Sequence, residues 1–176
     1  KRGLLFSPGR EHAGILRIID IGMPRNVMKI KDPRVYHVDK SFIQGLLPHR
    51  SADVHKNNLG MIHVIAGSRG YTGAAVLASK AVLRAGAGLC YLTIPASLNA
   101  ILEAHCAEVI TRQMQDEGDG FLVSGNLDGI KRELENKTAL ILGPGIGQAT
   151  ETRELVRQLI AAITLDRFKK LLHVFK

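Results

Sequence analysis

The run from His55 to Pro95 limits the fold more than any other stretch of the chain. His55-Lys56 precedes an apolar strand over Met61–Ala66. Then come the glycine-spaced loop Gly67-Ser68-Arg69-Gly70-Tyr71-Thr72-Gly73, a helix from Gly73 to Ala85, a glycine stop at Gly86-Ala87-Gly88 and a second strand over Leu89–Ile94. That order predicts a β-α-β unit whose loop opens toward a ligand. Glycine lets backbone amides approach a phosphate or a ring closely and adopts positive φ at little cost. A second cluster, Gly143-Pro144-Gly145-Ile146-Gly147, follows another apolar strand, Thr138–Leu142. Two glycine-rich strand ends in one sheet can face the same crevice, which is where open α/β sheets bind ligands.

Two familiar phosphate-loop fingerprints are missing. The dinucleotide fingerprint spaces its glycines by two and then three, whereas Gly67, Gly70 and Gly73 are spaced three and three. A P-loop ends in Gly-Lys-Ser/Thr, and the chain has no Gly-Lys pair. Turn glycines outnumber binding ones, so a plain tight turn stays open for either loop.

The helix after the first loop places Ala74, Leu77, Ala78, Ala81, Val82 and Ala85 on the stripe expected to pack on the sheet. Pro95-Ala96-Ser97 opens the next helix, with Ser97 as N-cap and Leu98, Ile101, Leu102 and His105 inward. Glu108–Arg112 predicts a short strand, Asn126–Asn136 a helix, and Thr150–Ile163 a helix capped by Thr150. Upstream, Asp39 or Ser41 caps a short helix through Leu47 that Pro48 ends, and Gly3–Pro24 reads as a turn leading into a strand at Ile15–Ile21. Strands alternating with helices define an α/β class with a largely parallel sheet.

At 176 residues and 45% hydrophobic content the chain suffices for one ordinary domain. The net charge of +8 raises nucleic acid as a partner, but the basic residues are scattered: the densest groups are Lys29–Arg34 with three and Arg167–Lys176 with four. Only Phe168 and Phe175 accompany these groups, short of the regular aromatic alternation that a stacking platform requires, so no nucleic-acid partner is expected. Positive charge equally suits phosphorylated small ligands. Cys90 and Cys106 lack metal or disulfide spacing and read as buried thiols of a reducing, cytoplasmic compartment. The chain opens on Lys1, which leaves an upstream targeting segment open. No apolar run approaches a membrane span. His105 and Cys106 are sequence neighbours that do not face each other on a helix, and His105 is assigned to packing. Asp116, Glu117 and Asp119 read as a solvated turn rather than a metal site.

His55-Lys56, Met61–Ala66, Gly67-Ser68, Tyr71-Thr72-Gly73-Ala74-Ala75, Leu77-Ala78, Ala85-Gly86-Ala87-Gly88-Leu89 and Gly143-Pro144-Gly145-Ile146-Gly147 together resemble the ATP- or ADP-dependent NAD(P)H-hydrate dehydratases. The resemblance covers about Val38 to Ile160. Lys1-Arg2-Gly3-Leu4-Leu5, Pro8-Gly9-Arg10, Ala13-Gly14 and Ile19-Asp20-Ile21-Gly22-Met23-Pro24 resemble the closing segment of an NAD(P)H-hydrate epimerase, which precedes the dehydratase in bifunctional members. The resemblance implies residues 1–25 as an epimerase remnant, 26–37 as a Pro- and Lys-rich linker and 38–176 as the first part of a dehydratase domain. It implies a ribokinase-like three-layer fold, incomplete in this chain.

The activity so implied is phosphorylation of the ring hydroxyl of hydrated NADH or NADPH by ATP or ADP with Mg²⁺. Elimination of phosphate then restores the double bond, because phosphate leaves where hydroxide does not. The implied substrate-binding residues are Gly73, Ala74, Gly145 and Gly147, with Ala74 offering a helix N-terminal amide. Gly67, Ser68 and Lys56 are the candidate nucleotide or phosphate loop. No catalytic residue and no metal ligand is expected here: the family's Gly-Thr-x-Gly-Asp loop, which carries the catalytic aspartate, has no counterpart. The tail Thr164–Lys176 departs from the family, echoing it only at Leu165-Asp166, so the chain reads as a fragment. The implied partner is a small-molecule dinucleotide, with no membrane partner and a homo-oligomer left open. The alternative is a nucleotide-binding half-domain without turnover. Gly73→Val or Gly145→Val is expected to weaken substrate binding more than stability.

Overall fold

The computed structural model of the chain describes residues 2–24, 38–47, 53 and 55–166. The chain divides into two compact units, Lys1–His49 and Arg50–Lys176. The expected linker at 26–37 lies outside the described residues, as do Pro48 and the basic tail 167–176.

In the first unit a 3₁₀ turn spans Arg2–Leu4, and two short helices follow, α1 (Gly9–Ala13) and α2 (Lys40–Leu46). The strand expected at Ile15–Ile21 is not formed, and those residues carry no regular secondary structure. A strand needs a partner to take up its backbone groups, and no other strand occurs among the described residues of this unit. Of the two candidate caps, Asp39 is the one used: its carboxylate accepts the Phe42 amide at 2.8 Å, while Ser41 donates to the same oxygen at 2.7 Å. Leu47 is extended (φ −73°, ψ 124°), the conformation favoured before a proline.

The second unit contains β1 (Met61–Ile65), α3 (Thr72–Ala85), β2 (Leu89–Pro95), α4 (Asn99–His105), β3 (Ile110–Met114), α5 (Leu127–Leu134), β4 (Ala139–Leu142) and α6 (Thr150–Asp166). All three strand pairings are parallel and the spatial order is β3-β2-β1-β4. His63 pairs with Tyr91 and Leu140, and Ile65 with Thr93 and Leu142, so these residues share one face. That face meets Leu122, Ile130 and Leu134 from α5 and its approach, and Leu155 and Leu159 from α6. The opposite face presents Val64, Cys90, Leu92 and Ile94 to Ala75 and Val82 of α3 and Leu98 and Leu102 at α4. Two helical layers therefore cover a central sheet, the three-layer arrangement anticipated.

Details of packing depart from the periodicity. The buried positions of α3 are Ala75, Ser79 and Val82, whereas Leu77 is 73% exposed and Ala81 and Ala85 are exposed. Small side chains let the helix lie close to the sheet, so Ala75 and Ser79 take the inner face that a hydrophobicity count gave to Leu77. In α4, Leu102 is buried while Ile101 and His105 are exposed, so His105 is not a packing residue; Cys106 is buried instead. Gly86 (φ 104°) ends α3 as expected: its amide reaches Leu83 O at 2.9 Å and the Ala87 amide reaches Val82 O at 3.3 Å, a Schellman pair.

Candidate functional site

The strand order places a switch point between β1 and β4. From β1 the chain steps to β2 and β3 in one direction, then returns across the sheet to β4 on the other side of β1. At such a point the connections leave the carboxyl ends of neighbouring strands toward opposite faces and open a crevice. The loops that leave those two ends are the two glycine loops.

They are tied to each other. The Gly67 amide donates to Pro144 O at 2.9 Å, the Ser68 hydroxyl to Gly145 O at 2.8 Å, and the Gly143 amide to Ile65 O at 3.0 Å. Gly145 has φ +63°, and a Cβ there would lie 2.7 Å from Ala74 Cβ and 2.9 Å from Tyr71 Cβ. A Cβ on Gly147 would lie 2.9 Å from the Phe121 ring. Gly145 and Gly147 therefore let the loops approach each other and the 116–121 segment. Gly73, by contrast, has open space where a Cβ would stand, as do Gly70 and Gly143, both at positive φ.

This geometry revises several sequence expectations. Gly67 and fully buried Ser68 spend their donors on protein carbonyls, so neither is a free phosphate donor. Lys56 lies on the 3₁₀ turn Lys56–Leu59 that leads into the amino end of β1, where its carbonyl abuts the Cα of Gly88. It is at the far end of the strand from Gly67 and does not join the loops. The Ala74 amide is also spent, on Tyr71 O at 3.1 Å. What stays open is the rim: Gly70, Tyr71 (61% exposed) and Gly73 on one loop, and Gly143 on the other. Thr72 and Gly73, in the first turn of α3, have no intrahelical acceptor for their amides. Gly70 and Gly143 share this open rim, and their place in the two glycine motifs is the sequence signal for it.

Asp116 is buried rather than solvated (3% exposed). Its Oδ1 accepts the Ser97 amide at 3.2 Å and its Oδ2 accepts the Gly120 amide at 2.8 Å and the Ser97 hydroxyl. Burial pushes its carboxyl up, but the bonds from Ser97, Gly120 and Gly118 outweigh this and hold it below the usual range. Ser97 is thus a ligand of Asp116 and not a helix cap. Asp116, Glu117, Asp119, Phe121, Val123, Ala149, Thr150 and Glu151 line a cavity of about 310 Å³ beside the crevice. Among the described residues no group of three or more His, Cys, Asp or Glu converges on a metal position.

A buried imidazole lies inside the sheet rather than at its carboxyl end. His63 is fully buried under α5 and α6, with Nε2 2.7 Å from Thr93 Oγ1, its ring stacked 6.2 Å from Tyr91 and its Nδ1 unpartnered. Burial, followed by the charges of Lys137 and Arg112, pushes its pKa down to about 3, so the ring is neutral near pH 7. Lys137 and Arg112 lie 4.2 and 5.4 Å from the Tyr91 ring centre, and Arg112 pairs with Glu133 at 2.9 Å.

A parallel sheet between two helical layers, with paired glycine loops at its switch point, defines a three-layer α/β protein. In keeping with this, the structure matches a ribokinase-like superfamily protein from Enterococcus faecalis at a TM-score of 0.58 and 21% identity, over 74% of this chain and 44% of that one. It also matches the ADP/ATP-dependent NAD(P)H-hydrate dehydratase of Bacillus subtilis, co-crystallised with ATP and Mg²⁺, at 0.53 and 24%, over 69% and 40%. The family model for NAD(P)H-hydrate dehydratase matches residues 62–164, more than half of the chain. The chain belongs to that family. It is 31% identical over 163 residues to the bifunctional NAD(P)H-hydrate repair enzyme of Moorella thermoacetica, and 32% identical over 163 residues to that of Thermofilum pendens. Each alignment covers 93% of this chain but 31% and 30% of those enzymes, so the chain spans about a third of their length.

Proposed function

We propose that this chain supplies the glycine-lined wall of a site for NAD(P)H hydrate in an ATP- or ADP-dependent dehydratase, within a bifunctional protein that also epimerises the hydrate. The observation that carries the reading is the meeting of the two glycine loops at the β1/β4 switch point, with Gly70, Gly73 and Gly143 open at its rim. Bare Cα positions beside the free first-turn amides of α3 suit the close approach of a phosphate-bearing dinucleotide. Bound ATP or ADP would supply the phosphoryl group that makes the ring hydroxyl a good leaving group. Open glycines and helix amides fit a nucleotide, whereas the described residues offer no converged ligand set for Mg²⁺.

Neither loop, 67–73 or 143–147, contains a carboxylate or an imidazole, so this wall binds and orients but brings no general base. The purified chain is therefore expected to bind hydrated NADPH and to give no recovery of NADPH absorbance when ATP and Mg²⁺ are added. Failure to bind in a calorimetric titration would remove the functional reading; turnover above a no-protein control would show a base within the chain. Gly73→Val is expected to weaken that binding at least tenfold with little change in melting temperature, since its side chain grows into open space. Unchanged affinity would take Gly73 out of the site.

A further inference from the structure

We propose that Asp116 is a positioning residue for the Gly67–Gly73 loop, acting through Arg69; its effect on ligand affinity rests on the functional reading above. Asp116 lies just past β3, away from both glycine loops in sequence. Its carboxylate gathers the Ser97 and Gly120 amides and the Ser97 hydroxyl, and the segment folded around it turns through positive φ at Glu117, Gly118 and Gly120. The turn aims two carbonyls at one residue of the first glycine loop. Gly120 O accepts the Arg69 amide at 2.8 Å, and Gly118 O accepts the Arg69 guanidinium.

The approach is close enough to need glycine: a Cβ on Gly120 would stand 2.9 Å from Arg69 Cβ. Arg69 is followed by Gly70, Tyr71 and Gly73, the open rim, and the Tyr71 amide closes the turn on Ser68 O at 2.8 Å. The loop is thus held from one side by Pro144 and Gly145 and from the other by the Asp116 turn. Without the second hold, the rim would sample other shapes and the ligand would have to order it.

Asparagine at position 116 keeps the size but places an NH₂ group against a backbone N–H on one side, because an amide accepts on only one of its two arms. In Asp116→Asn the Arg69 amide is expected to exchange with solvent at least tenfold faster, while Val64 and Ile65 in β1 keep their protection. Hydrated NADPH should bind about tenfold more weakly. Arg69→Met, which removes the guanidinium hold and leaves Asp116 intact, should weaken binding in the same way. The double variant should lose less than the product of the two single effects, since both loosen the same hold of the turn on Arg69. Ser97→Ala withdraws a single side-chain donor and gives the same directions at smaller size if Asp116→Asn does not fold.

Unchanged exchange at Arg69 in a folded Asp116→Asn or Ser97→Ala chain overturns the proposal, whatever the ligand does. So does faster exchange with full affinity, or strict multiplicativity in the double variant. A wild-type chain that does not bind hydrated NADPH overturns the functional reading instead, and exchange alone then decides whether Asp116 shapes the loop.

Discussion

Gly145→Ala is expected to destabilise the chain by about 2–5 kcal/mol, combining the cost of a side chain in the left-handed region with that of overpacking. The added carbon would stand 2.7 Å from Ala74 Cβ, 2.9 Å from Tyr71 Cβ and 3.0 Å from Tyr71 O at φ +63°. None of these neighbours is the far end of a flexible side chain, so relief requires moving the start of α3 away from the second loop. The hydrogen bonds from Gly67 to Pro144 and from Ser68 to Gly145 oppose that movement. A urea melt of the purified chain reads the effect as a lower midpoint, and a midpoint within error of wild type would refute the packing argument. Gly73→Ala is the matched control, with no atom within 4 Å of its added carbon. It should hold or raise stability, by up to about 1 kcal/mol through helix propensity. The two glycines, read alike from their motifs, thus part: Gly145 is first a packing residue, and Gly73, with open space beside it, is the cleaner probe of the proposed ligand site.

Acid should weaken the fold well above the pH at which carboxylates protonate. His63 stays neutral in the folded chain down to about pH 3, whereas in the unfolded chain it titrates near 6.5. Between these values unfolding takes up a proton, so the contribution is complete above about pH 6.5 and falls as the pH drops toward 3. Each unit in that window costs about 1.4 kcal/mol, or tenfold in the unfolding equilibrium. Asp116, held below its ordinary range, adds a loss in the same direction only below about pH 4. His63→Gln keeps a polar group in reach of Thr93 and cannot titrate. Urea midpoints measured from pH 4.5 to 7 should slope less steeply for His63→Gln, by about one proton. Equal slopes in the two proteins would mean that the imidazole is charged, or reached by water, in the folded state.

The sequence alone determined the order of strands and helices in the second unit, the parallel class of the sheet and the two glycine loops at strand ends. These are local or strongly periodic features: short apolar runs set off by glycine, and a helix that stops where only glycine fits. The resemblance in the same motifs pointed to the family that the comparison then showed. Tertiary structure alone decided which donors remain free. Gly67, Ser68 and Ala74 have the chemistry of a ligand cradle, but β4 beside β1 brings Pro144 and Gly145 close enough to take two of those donors. Lys56 and Gly67, one motif in the chain, are parted because a strand runs between them. Ser79, Asp116 and His63 look like surface residues by type and are buried because packing distance, hydrogen-bond donors and the sheet face reach them from segments far away in sequence. No periodicity within a segment carries that information, since burial and hydrogen bonding depend on which distant segments arrive at the same place.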